Sequence, residues 1–117
     1  MIYVSIERFS EADTRIQAFV VEGHAQYDVP GKDLVCAAVS AITVGTVNSV
    51  ESLTGVLPIT EMDKGLLDVT IPELTDSQSD SAAKVQLLLE SMLVMLQTIQ
   101  ETYGDYITIE TLYSKGG

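Results

Sequence analysis

The chain holds one histidine, His24, and one cysteine, Cys36, within the stretch GHAQYDVPGKDLVCAAVSAI that runs from Gly23 to Ile42. An imidazole and a thiol are the parts of a nucleophilic pair: the base takes the thiol proton and the thiolate attacks an electrophilic carbon. Asp33, Leu34, Val35 and Cys36 read as an N-cap followed by the first turn of a helix. The Asp33 side chain is placed to accept from the backbone N–H groups of residues 35 or 36. The thiol then stands at a helix start, where unpaired N–H groups and the positive end of the dipole favour the thiolate. The same N–H groups could serve a developing oxyanion. His24 reaches the thiol only if the chain doubles back, and the intervening loop, with Pro30 and Gly31, is long enough to do so.

Other readings stand beside this one. A cysteine among small neighbours, as in VCAAVS, also suits a buried structural role. A thiol redox sensor is conceivable, but the chain has no second cysteine to resolve a sulfenate. A closed zinc site needs two ligands beyond His24 and Cys36; Asp28 and Asp33 fit no familiar zinc spacing, so no metal is expected.

Elements of both periods must position the pair. Residues 2–8 alternate Ile2, Val4 and Ile6 against Tyr3, Ser5 and Glu7, the period of a strand. Residues 15–22 predict a second strand, paired with the first as a hairpin after the turn chemistry of SEADTR. His24 follows the end of that strand. Val35, Val39, Ile42, Val50 and Leu53 recur at helix spacing over 34–53, with an end near Gly55. VLPITEMDKGLLDVTIPEL predicts two strands joined at Asp63-Lys64-Gly65, with Leu67, Val69 and Ile71 toward the core and Gly65 in a left-handed turn position. TDSQSDS is a loop or helix entry. A long helix over about 80–103 carries a core stripe of Val85, Leu88, Leu89, Met92, Leu96, Ile99 and Tyr103. Leu87 and Val94 lie off that stripe and suggest a second buried face, either in a dimer contact or in a helix deep within its own domain. Gly104 stops the helix, and DYITIETLY reads as a last strand. The order β-β-α-β-β-α-β predicts one α+β domain over residues 1–117, a mixed sheet covered by two helices.

The chain has 117 residues, 46% of them hydrophobic, which suits one packed core. Its 17 acidic and 6 basic residues give a net charge of −11. Direct binding to a nucleic-acid backbone needs the opposite sign. A cationic protein or peptide partner is compatible, so an acidic, non-catalytic interaction protein is the alternative to an enzyme. No apolar run is expected to reach the roughly 20 residues that span a bilayer, and the N-terminus does not resemble a signal peptide. A cytoplasmic protein is expected.

The pattern GHA followed by G-x-D-x-V-C-A-A-V-S, here Gly23, His24, Ala25, Gly31, Asp33, Val35, Cys36, Ala37, Ala38, Val39 and Ser40, resembles the ribosomal-processing cysteine proteases of the Prp family. The resemblance extends over the whole chain in length, element order and acidity. It implies a cysteine protease that removes the N-terminal extension of a bL27-type large-subunit ribosomal protein, after an aromatic-rich, mostly apolar sequence. It implies a dyad of Cys36 as nucleophile and His24 as general base, supported by Asp33 and Ser40. It implies a mobile loop between His24 and Cys36, with Gly23, Tyr27 and Gly31 as substrate-binding or loop residues, a homodimer, and no cofactor; the non-catalytic alternative is then an acidic dimer that binds a basic ribosomal protein.

Overall fold

A computed structural model describes residues 1–25, 28 and 33–114. The elements are β1 (Ile2–Arg8), β2 (Ile16–Gly23), α1 (Leu34–Thr54), β3 (Ile59–Asp63), β4 (Leu66–Thr70), α2 (Ser79–Tyr103) and β5 (Ile107–Tyr113). A short 3-10 turn, Asp76–Gln78, leads into α2. The α+β order is the one expected, with a five-stranded mixed sheet and two helices.

The strands lie in the order β3-β4-β2-β1-β5. Neighbours pair antiparallel except β1 with β5, which are parallel because α2 carries the chain back over the sheet. Alternation in β1 does what the sequence period requires: Ile2, Val4 and Ile6 are buried while Tyr3 stands exposed. The core joins these residues to Phe19, Leu67, Val69 and Ile107 from the sheet, Val35, Val39 and Val50 from α1, and Val85, Leu89, Met92, Leu93 and Leu96 from α2. Arg8 binds Glu90 through both terminal guanidinium nitrogens, at 2.7 and 3.2 Å, and so ties β1 to α2. A bulge in the β1–β2 register, where Glu7 faces Ala18 and Arg8 faces Ile16, is met by Gln86. Its amide accepts from the Ile16 N–H at 2.8 Å and donates to the Ile16 C=O at 2.9 Å.

The faces of α1 differ from expectation. Leu53 is 67% exposed, because it lies off the buried row of Val35, Val39, Thr43, Thr46 and Val50. Thr43 and Thr46 are buried instead. Their hydroxyls donate back to the Val39 and Ile42 carbonyls, which satisfies the polar atoms within the helix and lets the methyl groups pack. Leu93 joins the core stripe of α2, Ile71 lies beyond the end of β4, and Leu87 and Val94 are 72% and 61% exposed.

One expectation needs correction. The helix Leu34–Thr54 and the helical run Asp76–Tyr103 are both long and apolar enough, by length and composition, to cross a bilayer. Here each inserts a row of side chains into the core on the sheet, and a helix packed in this way gains the same overall apolarity.

Candidate active site

The site is built where β2 ends and α1 begins. Gly23 closes β2 with φ +91°, and a Cβ there would stand 2.4 Å from the Met1 carbonyl oxygen. Only glycine combines that backbone with that approach. Its N–H donates to the Gly65 carbonyl at 2.9 Å, fastening the strand end to the β3–β4 turn. The Met1 nitrogen donates to the His24 carbonyl at 2.5 Å. His24 is thus held through its backbone on two sides, while its side chain is exposed.

The imidazole lies over Gly65. A methyl group at position 65 would come within 2.9 Å of His24 Nε2, 3.5 Å of Cε1 and 3.6 Å of Cδ2. Gly65 has φ +74°, so the residue that makes the hairpin turn also leaves room for the ring. The turn was expected from Asp63-Lys64-Gly65. The contact with His24, made across the sheet, was not.

Cys36 lies in the first turn of α1, partly buried and packed against the core. Asp33 caps that helix as expected: one carboxylate oxygen accepts from Val35 N–H and Cys36 N–H, both at 3.0 Å. The Asp33 carbonyl accepts from Ala37 N–H at 3.1 Å. This engages the N–H groups of residues 35 to 37 at the helix start, the region from which oxyanion donors are expected. A different amide faces the thiol. Ala25, buried in the core, donates its N–H to Cys36 Sγ at 3.3 Å. The chain therefore does double back, and the residue after His24 sits on the sulfur of Cys36.

Ser40 follows Cys36 by one turn and is exposed. Tyr27 and Gly31 lie outside the described residues. No group of three or more His, Cys, Asp and Glu side chains converges on a metal-sized space among the described residues. Sequence reasoning missed Gly65 as a neighbour of His24 and the Ala25 amide as a neighbour of the sulfur. Gly65 carried a signal as a turn glycine. The Ala25 amide carried none, since every residue but proline has one.

A thiol meeting a backbone donor, beside a histidine held at a strand end, has the parts for acyl transfer from an amide. The family model described as cysteine protease Prp matches residues 1–108. The ribosomal processing cysteine protease Prp of Bacillus subtilis is 38% identical over 113 residues, covering 95% of this chain and 97% of that protein. A crystal structure of an essential ribosomal processing protease Prp from Staphylococcus aureus, in complex with a covalently linked product peptide, superposes with a TM-score of 0.82. It is 33% identical and covers 96% of this chain and all of that one. The S. aureus protease in complex with a substrate peptide gives a TM-score of 0.76 at 32% identity, with the same coverage of both chains. The chain belongs to the cysteine protease Prp family and is a peptide hydrolase.

Proposed function

We propose that the chain removes the N-terminal extension of a bL27-type large-subunit ribosomal protein, with Cys36 as nucleophile and His24 as general base. The observation that carries the assignment is the hydrogen bond from Ala25 N–H to Cys36 Sγ at 3.3 Å, which draws the segment bearing His24 onto the thiol. The covalently linked product peptide described for the S. aureus relative supports a covalent route.

In this reading His24 accepts the Cys36 proton and the sulfur attacks the scissile carbonyl carbon. A C–S bond forms and the carbonyl electron pair moves to oxygen. The Ala25 N–H, already aimed at the sulfur, lies within reach of that oxygen and stabilises it. The pair returns, the C–N bond breaks, and His24 delivers its proton to the leaving amine. Water, deprotonated by His24, then hydrolyses the thioester and regenerates the thiol. Asp33 holds the helix start that carries Cys36, and Ser40 supports the site from the next turn. No metal or organic cofactor takes part. Tyr27 and Gly31 are assigned to substrate contact, and Gly23 fixes the strand end that carries His24.

Residues 1–117 act as one catalytic domain in the cytoplasm, as a homodimer. The exposed Leu87 and Val94 of α2 supply an apolar surface suited to that contact. A net charge of −11 favours approach of a basic ribosomal protein.

The test incubates the protein with a bL27-type precursor and reads product masses. Wild type should release the extension, while Cys36→Ala and His24→Ala, each folded by circular dichroism, should not. Cleavage that survives Cys36→Ala would remove the basis of the assignment.

A further inference from the structure

The thiol marks where a peptide is cut; a separate feature of the fold shows where the rest of that peptide lies. On α1, Cys36, Ser40, Val44, Val47 and Glu51 follow at steps of four, four, three and four, so they share one face of the helix. Beyond Ser40 this face becomes a wall of an open groove of about 310 Å³, at the small end of the range for binding pockets. The opposite wall is β3 and its approach, with Leu57 and Met62, and Leu67 also lines the groove.

Three observations point to the occupant. First, β3 is an edge strand of the sheet, and all five of its residues are exposed. An open edge is a template for an extended chain. Second, two large apolar side chains bordering the groove stand in solvent, Leu57 at 64% and Met62 at 62% exposure, so a matching apolar segment gains by covering them. Third, the groove is continuous with the site. Its α1 wall, from Val44 to Glu51, lies on the helix face that Cys36 and Ser40 begin, and the strand of its other wall runs to the turn whose Gly65 seats His24.

We infer that the groove between α1 and β3 binds an apolar stretch of the substrate peptide, extended alongside β3 and several residues away from the scissile bond. The inference rests on the peptidase reading above. Its register follows from the helix rise of about 1.5 Å per residue, which puts Val44 and Val47 about 12–16 Å along the axis from Cys36. An extended peptide advances about 3.3 Å per residue, so the side chains that enter lie roughly four or five residues from the cleaved bond. The larger hollow near Phe9, Arg15, Glu73 and Gln86 is lined at the other end of β2 and β4 and does not border this path.

Leu57→Asp and Met62→Asp test the groove at exposed positions where folding tolerates a charge. With a peptide reaching at least six residues to either side of the bond, each variant should raise KM about tenfold or more, with kcat close to wild type, because a charge faces an apolar ligand. With a peptide trimmed to three residues on each side, both should match wild type. In a parallel scan, Asp at the fourth or fifth residue should depress kcat/KM on one flank of the bond. An active wild type with unchanged KM in both variants, or an Asp scan flat on both flanks, overturns the groove assignment alone. An inert wild type overturns the peptidase reading instead. A shift in oligomeric state without a change in KM assigns the face to a second copy and overturns the peptide.

Discussion

Gly65 and Gly55 make a controlled experiment inside one chain. Both have the left-handed backbone, φ +74° and +76°. Nothing lies within 4 Å of a methyl group added at Gly55, whereas one at Gly65 stands 2.9 Å from His24 Nε2. Alanine at either position should lose about 1–2 kcal/mol of stability from the left-handed backbone. For a chain between the usual size classes that lowers Tm by very roughly 3–12 °C. The contact itself adds little to that cost, because the imidazole is a side-chain end that can swing aside. Ordinary contact begins at 3.4 Å, so the ring must retreat by about 0.5 Å or more. Misplacing a reacting group by about 1 Å costs on the order of 10²-fold in rate. Gly65→Ala should therefore lose about 10- to 100-fold in kcat/KM at a temperature where it is still folded, and Gly55→Ala should lose none. The assay is steady-state peptide cleavage beside thermal melts of the three proteins. Equal activity in the two variants, at equal loss of Tm, would refute the claim that Gly65 seats the general base.

Other outcomes follow from single contacts. Gln86→Leu strands the Ile16 N–H and C=O, and urea unfolding should show a loss of about 1–3 kcal/mol with kcat/KM unchanged, since Gln86 is remote from Cys36. Asp33→Ala should lose about 0.5–2 kcal/mol through the missing cap, whereas Asp33→Asn keeps an acceptor oxygen and should retain both stability and activity. A stable but inactive Asp33→Asn in the cleavage assay would assign the carboxylate a charge-dependent role. The double variant Leu87→Glu, Val94→Glu should sediment as a folded monomer where wild type sediments as a dimer; a monomeric wild type would dismiss the α2 surface as a contact.

Much of this fold is legible because strand and helix periods act locally. β1 alternates cleanly, Gly55 and Gly65 mark a helix end and a turn, and Asp33 announces the cap three residues before Cys36. What the local periods left open shares a cause: each feature depends on something outside the pattern. Thr43 and Thr46 read as polar, yet their hydroxyls are satisfied within their own helix. Leu53 reads as core, yet the row of α1 that the core selects passes beside it. The parallel pairing of β5 with β1 depends on where α2 returns the chain. In the site, the return of the chain that brings Ala25 to Cys36 was foreseeable as a loop closure. The placing of the imidazole over Gly65, 41 positions away in sequence, was not, because it requires the strand order β4-β2.

The central claim, that Cys36 carries the covalent chemistry, can be measured without a mutation because Cys36 is the only cysteine in the chain. Iodoacetamide then titrates a single thiol, and intact mass counts the labels. Peptidase activity should fall in direct proportion to the labelled fraction and reach zero at one label per chain, with substrate peptide slowing both losses together. Full labelling of Cys36 with cleavage retained would contradict the account.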